Sequence, residues 1–220
     1  MNCGCHYSMK NKHLLSICIL AGGNSHRMGH NKALMLFRGQ PLIKRVVERV
    51  SPLAVEVFLV ANDPGVYQFL ELPIYMDKVK GAGVMGGLFT ALSIASTPYV
   101  AVLACDLPYV NINLINAELN LMQAELADVV IPESKNGLEP LHALYRCDTC
   151  LPQVQQALAV NQKRLVSWMD QVKVKVMTAE QIGLFDPLGI AFLNINTPQD
   201  LVRAEAIARK LDQKEIVPER

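Results

Sequence analysis

Apolar residues along the chain fall into short continuous runs, and stretches of helical spacing separate them. Leu15–Ala21 is an apolar run of strand length that breaks at Gly22-Gly23. Pro41–Val50 (PLIKRVVERV) spaces its apolar residues as a helix does, with proline in the first turn, where a missing N–H leaves no bond unmade. Val55–Ala61 predicts a second strand, Tyr67–Leu70 a helical turn, Ile74–Met76 a short strand end and Gly86–Ser96 a helix. Tyr99–Ala104 predicts a third long strand, Ile112–Leu126 an amphipathic helix and Asp128–Pro132 another strand. Further on, Pro140–Tyr145, Val172–Met177 and Ala191–Asn194 have strand patterns, and Leu151–Val160 and Lys163–Asp170 have helical ones. Thr197-Pro198 opens a capped helix that runs to about Lys210. Strands alternating with helices predict the α/β class: a doubly wound, mostly parallel sheet in a single domain. The expected boundaries are an N-terminal extension over 1–13, disordered and dispensable at least over 1–8, a domain over 14–211 and a frayed tail over 212–220.

Composition narrows the classes. The chain has 220 residues, is 51% hydrophobic and carries a formal net charge of +1. That is enough chain for one sizeable core, and the charge balance gives no broad electrostatic footprint for nucleic acid or an anionic membrane. No apolar run approaches the roughly 18 to 20 residues that span a bilayer. From Met9 the chain mimics a signal peptide, but the apolar core is only about seven residues and no cleavage pattern follows, which favours a strand. Cys18 and Cys105 lie in apolar runs and read as small buried residues. Cys147 and Cys150 form CxxC, and a zinc site there would need Cys3 and Cys5-His6 to complete it. The cysteine usage suits a reducing cytoplasm.

Candidate chemistry lies where strands end. In open α/β sheets, ligands bind at the carboxyl ends of strands. After the first strand comes Gly22-Gly23-Asn24-Ser25-His26-Arg27-Met28-Gly29-His30-Asn31-Lys32. Glycines let a backbone turn tightly and present N–H groups to an anion, and Arg27 and Lys32 add the positive charge that polyphosphate needs. The loop matches neither GxxxxGK[ST] nor GxGxxG. It is either a turn with two exposed cations or a phosphate cradle. Asp106 shifts the balance toward the cradle: a carboxylate at the end of a buried central strand suits a magnesium ion that shares its other ligands with phosphate and water. The alternative role for Asp106 is a helix N-cap.

The ordered set LAGGxxxRMG…K, V-x-N, an isolated Asp, CDLP, EPLxALY and F-x-NINTPxDL resembles the molybdenum cofactor guanylyltransferases, from Leu20 to about Ala204. The resemblance implies a Rossmann-like fold and transfer of GMP from GTP to molybdenum-bound molybdopterin, with release of pyrophosphate. It implies that Leu20, Ala21, Gly22 and Gly23 line the nucleotide, and that Lys32 and Arg27 hold phosphate. Asn62 and Asp77 match nucleoside-binding positions, and Asp106 matches the Mg2+-binding aspartate. Glu139, Pro140, Leu141, Asn194 and Asn196 fall in segments associated with the acceptor. Molybdoenzymes or their chaperones are the further partners implied. Two features depart from the family pattern: Asn31 stands where an aspartate is common, and Gly83-Val84-Met85-Gly86-Gly87 replaces a GPLAG-like segment. Two other readings remain: a cytidylyltransferase of the same fold, whose motif resembles LAAG, and a non-catalytic module that binds nucleotide or delivers cofactor. The missing side-chain carbon at Gly22 leaves room for a purine. His142 either meets the acceptor or is a half-buried structural histidine.

Overall fold

The computed structural model of the chain describes residues 9–22 and 31–215. Gly23 and Arg27, like Cys3, Cys5 and His6, lie outside the described residues. The strands are β1 (Leu15–Leu20), β2 (Leu36–Phe37), β3 (Gln40–Pro41), β4 (Glu56–Val60), β5 (Ile74–Tyr75), β6 (Tyr99–Ala104), β7 (Val129–Ser134), β8 (Gly137–Leu138), β9 (His142–Arg146) and β10 (Val174–Met177). The helices are α1 (Leu42–Val50), α2 (Val84–Ile94), α3 (Ile112–Glu125), α4 (Cys147–Ala159), α5 (Ala179–Gly183) and α6 (Pro198–Glu215). Short 3-10 turns occupy Lys32–Leu34 and Pro64–Leu70.

The main sheet has the order β10-β7-β9-β6-β1-β4-β5, with β8 paired onto β7, while β2 and β3 pair with each other. Pairing is parallel between β1 and β4, β1 and β6, β4 and β5, and β7 and β10. β9 is inserted antiparallel between β6 and β7. The sheet is therefore mostly parallel and doubly wound, as the alternation of elements predicts.

Every residue of β1 is buried. Leu15, Ile17 and Ile19 pack with Ile43 and Val46 of α1 and Ile115 of α3. Cys18 and Leu20 point the other way, into a cluster with Met85 and Leu88 of α2 and Val154 of α4. Burial on both faces is why such strands read as continuous apolar runs. α1 buries Leu42, Ile43, Val46, Val47 and Val50, the one-sided stripe expected of a helix laid on a sheet. Asn111 caps α3 by accepting from the N–H groups of Asn113 and Leu114.

Two expected elements are not formed. Ala191–Asn194 makes no strand. The Ala191 N–H goes to Asp186 Oδ2 at 2.7 Å, and just beyond, the Ile195 N–H goes to the Asp106 carbonyl at 3.1 Å, so this segment joins no ladder. Lys163–Asp170 makes turns rather than an α-helix, with three-residue bonds such as Ser167 N–H to Arg164 O and Met169 N–H to Val166 O. Buried Trp168 and Met169 pin those turns to the α4 side of the sheet. No helix among the described residues is long and apolar enough to cross a membrane.

Candidate active site

Strand register gathers the chemistry. Leu20 stands opposite both Val60 and Ala104, and Val60 opposite Tyr75. β1, β4, β5 and β6 thus end level with one another, and the residues that follow them emerge along one edge of the sheet. Those residues are Ala21-Gly22, Ala61-Asn62, Met76-Asp77 and Cys105-Asp106. Because β9 is antiparallel, its start lies at the same edge, and the Ala104 N–H donates to the Leu141 carbonyl at 2.9 Å. Glu139-Pro140-Leu141 therefore stands beside Asp106. Ser134 Oγ donates to Glu139 Oε1 at 2.6 Å, and the Pro140 carbonyl accepts from the Tyr145 hydroxyl at 2.7 Å, which fixes this turn from both sides.

One end of this edge is built by β4, β5 and the start of α2. Asn62 donates a side-chain hydrogen bond to Asp77, but burial outweighs it and holds the Asp77 carboxyl above the usual range. A Cβ on Gly22 would stand 3.5 Å from Asn62 Nδ2, an ordinary contact. The glycines of α2 pack far more closely. A Cβ on Gly87 would lie 3.1 Å from Leu20 Cδ1, and one on Gly86 only 2.9 Å from the Val79 carbonyl. Departing from a GPLAG-like sequence, this segment keeps the small residues that let α2 approach β1 and the turn after Asp77.

The other end is closed by the C-terminal segment. Lys32 Nζ donates to Asn196 Oδ1 at 2.6 Å, joining positions 164 residues apart. Asn196 is itself held, since Asp200 Oδ2 accepts from the N–H groups of Asn196 and Thr197 at 3.1 and 2.9 Å. Burial raises the Asp106 carboxyl, opposed by its own backbone N–H and by the Lys32 ammonium. A carboxylate that burial disfavours as an anion is a group that a divalent cation would stabilise. No group of three or more His, Cys, Asp or Glu side chains that could hold a metal occurs among the described residues. Beside Asp106, the Cys105 thiol is pushed up to about 12 by burial and by Asp106, which keeps it protonated and un-nucleophilic.

A groove of about 810 Å³ continues from Asn196, bounded by the β7–β8 hairpin, α5 and α6 and lined by Ser134, Ile182, Phe192, Asn194 and Arg203 among others. The F-x-NINTPxDL motif reaches Phe192, Asn194, Asn196 and Asp200 of this lining, and only the two asparagines are expected from sequence at the acceptor.

His142 is buried rather than at the acceptor surface. Its Nε2 lies 3.5 Å from Glu118 Oε1 of α3, with both side chains sealed, and its ring meets that of Phe192 in a T-shaped contact with centroids 4.9 Å apart. Burial lowers His142 to about 3 and pushes Glu118 well above its usual range. The folded pair then holds one proton. The unfolded chain holds two below about pH 4.3, one up to about 6.5 and none above. The lowered histidine removes stability as pH falls below about 6.5, and the raised glutamate removes it as pH rises above about 4.3. Between these values the two slopes cancel. The pair's contribution is therefore flat from about pH 4.3 to 6.5 and falls on either side by up to about 1.4 kcal/mol per pH unit. Glu118→Gln should abolish the alkaline fall and start the acid fall near 6.5. Urea unfolding across pH checks this, and an alkaline limb unchanged by the substitution contradicts it.

Comparison with known proteins places the chain in a family and a fold. The model of the MobA-like NTP transferase domain matches residues 17–176. A protein of Carboxydothermus hydrogenoformans named "Probable molybdenum cofactor guanylyltransferase" is 38% identical over 189 residues, 84% of this chain and 92% of that one. The crystal structure of molybdopterin-guanine dinucleotide biosynthesis protein A from Archaeoglobus fulgidus superposes with a TM-score of 0.77 at 28% identity, covering 89% of this chain and 99% of that one. A 2-C-methyl-D-erythritol 4-phosphate cytidylyltransferase from Thermus thermophilus shares the fold, with a TM-score of 0.63 at 20% identity over 87% of this chain and 98% of that one.

Proposed function

The chain belongs to the MobA-like NTP transferase domain family, and on that premise we propose that it is a molybdenum cofactor guanylyltransferase, moving GMP from GTP to the terminal phosphate of molybdenum-bound molybdopterin in the cytoplasm. The observation that carries this reading is the single sheet edge that gathers Gly22, Asn62, Asp77 and Asp106, with Lys32 closed onto it by Asn196.

In the reaction, a terminal phosphate oxygen of the acceptor forms a bond to the α-phosphorus of GTP. The bond from that phosphorus to the bridging oxygen breaks in line, and pyrophosphate carries away the electron pair. Attacker and target are both anions, so the protein's main task is to neutralise charge. Lys32 holds the triphosphate as a point charge on a flexible stem, and Arg27 adds a second cation. Leu20 and Ala21 are committed to the strand ladder, Ala21 N–H to Val60 O at 2.9 Å, so of the three LAG residues Gly22 approaches the nucleotide most freely. Asp106 would hold the magnesium ion, which when bound supplies charge to the phosphate oxygens and the leaving group. The groove beyond Asn196 suits the acceptor. Asn194 and Asn196 line it, and Glu139-Pro140-Leu141 borders the edge beside Asp106.

The direct test is labelled GTP with magnesium and molybdenum-loaded molybdopterin. A labelled dinucleotide and pyrophosphate are expected. Product formed only from CTP would make the chain a cytidylyltransferase, and GTP bound without pyrophosphate release would make it a delivery module. A second expectation concerns the cations. Hydrogen bonds to charged groups contribute about 1.5–3 kcal/mol, so Lys32→Ala should weaken GTP binding by about 10- to 150-fold, more than Arg27→Ala does. Calorimetry on both variants decides, and a more damaging Arg27→Ala overturns the assignment of Lys32.

A further inference from the structure

Asn31 stands directly before Lys32, and its side chain is engaged at both ends. Oδ1 accepts from the Ala33 N–H at 3.1 Å, capping the turn that carries Lys32. Nδ2 donates to the Tyr67 hydroxyl at 3.0 Å. That hydroxyl in turn lies 3.4 Å from the Ala21 carbonyl and 3.3 Å from Asn31 Oδ1, so its proton sits between two acceptors. Tyr67 is only 3% exposed and belongs to the Pro64–Leu70 turn that follows β4. Burial raises its phenol above the ordinary range, which keeps it a neutral O–H donor. One buried hydroxyl thus touches the residue that leaves β1 and the residue that starts the lysine turn.

We propose that Tyr67 is a positioning residue for phosphate binding: its hydroxyl latches Asn31 to the carboxyl end of β1 and so fixes the root of the Lys32 side chain. The inference rests on the reading that Lys32 holds the triphosphate. A lysine stem loses substantial rotamer freedom when its ammonium is held in one place. The latch fixes one end of that stem and Asn196 the other, so less freedom remains to be lost when nucleotide arrives. The latch also accounts for asparagine at this position. An amide donates to the phenol and accepts from the turn at once. A carboxylate only accepts, so with an aspartate here the bond to residue 31 would rest on the Tyr67 hydroxyl alone as donor.

GTP affinity of the full chain, measured by calorimetry with magnesium, tests this. Tyr67→Phe keeps the buried ring and removes the hydroxyl. It should weaken GTP by about 2- to 12-fold, the range for one net hydrogen bond, and raise the KM for GTP while leaving the acceptor KM unchanged. Asn31→Ala should weaken GTP at least as much, and adding Tyr67→Phe to it should cost nothing more, because both substitutions open the same latch. A purely structural role for Tyr67 would lower the melting temperature and leave GTP affinity unmoved. If Tyr67→Phe binds GTP as tightly as the parent, or if the two effects add in full, the latch is overturned while the role of Lys32 stands. If Lys32→Ala also binds GTP unchanged, the reading of Lys32 falls and the latch falls with it.

Discussion

Asp106→Asn should lower turnover by about 10²–10³ while leaving the fold in place, the usual loss when one charge-organising group is removed from a transition state. The substitution is nearly isosteric. The structural tie at this residue is its carbonyl, which accepts from the Ile195 N–H at 3.1 Å and which asparagine keeps. What disappears is the full negative charge at the end of β6, set between the Lys32 ammonium and the start of β9. Neutral asparagine is a far weaker ligand for a hard dication. GTP binding through Lys32 and the nucleoside positions should survive, so the loss falls mainly on kcat. Rapid-quench turnover at saturating magnesium and GTP checks this. Near-normal magnesium-dependent activity in the variant removes Asp106 from the site.

The architecture was legible because parallel strands buried on both faces must be written as unbroken apolar runs, and each such run ends at a residue with chemistry: Gly22 after β1, Asn62 after β4, Asp106 after β6. Strand direction was not legible. The Pro140–Tyr145 run looks the same parallel or antiparallel, yet only the antiparallel β9 brings Glu139-Pro140-Leu141 to the edge that holds Asp106. Ala191–Asn194 misled because an apolar alternation says nothing about where backbone N–H groups go, and here they go to the Asp186 side chain and the Asp106 carbonyl. Contacts across the chain were equally silent. Nothing near Lys32 announces Asn196, and Tyr67 belongs to no motif. Glu118 sits in a helix whose pattern predicts an amphipathic face, but its buried partner, His142, comes from a different element.

Guanine selectivity should depend on the missing carbon at Gly22. The chain is expected to use GTP over CTP, ATP and UTP, because Asp77 and Asn62 offer acceptors to the donor edge of guanine. Adenine lacks that edge, and cytosine presents acceptors there instead. A site that hydrogen-bonds one base rejects others more strongly than an apolar pocket would, since its polar groups are left unpaired. Gly22→Ala turns LAGG into LAAG. The new methyl would stand 3.5 Å from Asn62 Nδ2, an ordinary contact, so the fold should tolerate it. It would nevertheless occupy space beside the nucleoside position, where a purine has two fused rings to seat and a pyrimidine one. Differences of about one methylene change kcat/KM by about 10- to 200-fold. The expected result is a loss of that size for GTP, little change in the low CTP activity, and an unchanged melting temperature. The measurement is kcat/KM for both nucleotides in parent and variant, with molybdenum-loaded molybdopterin held constant. Equal use of CTP by the parent would reject a guanine site. Equal loss for both nucleotides in the variant would show that the methyl disturbs the triphosphate rather than the base.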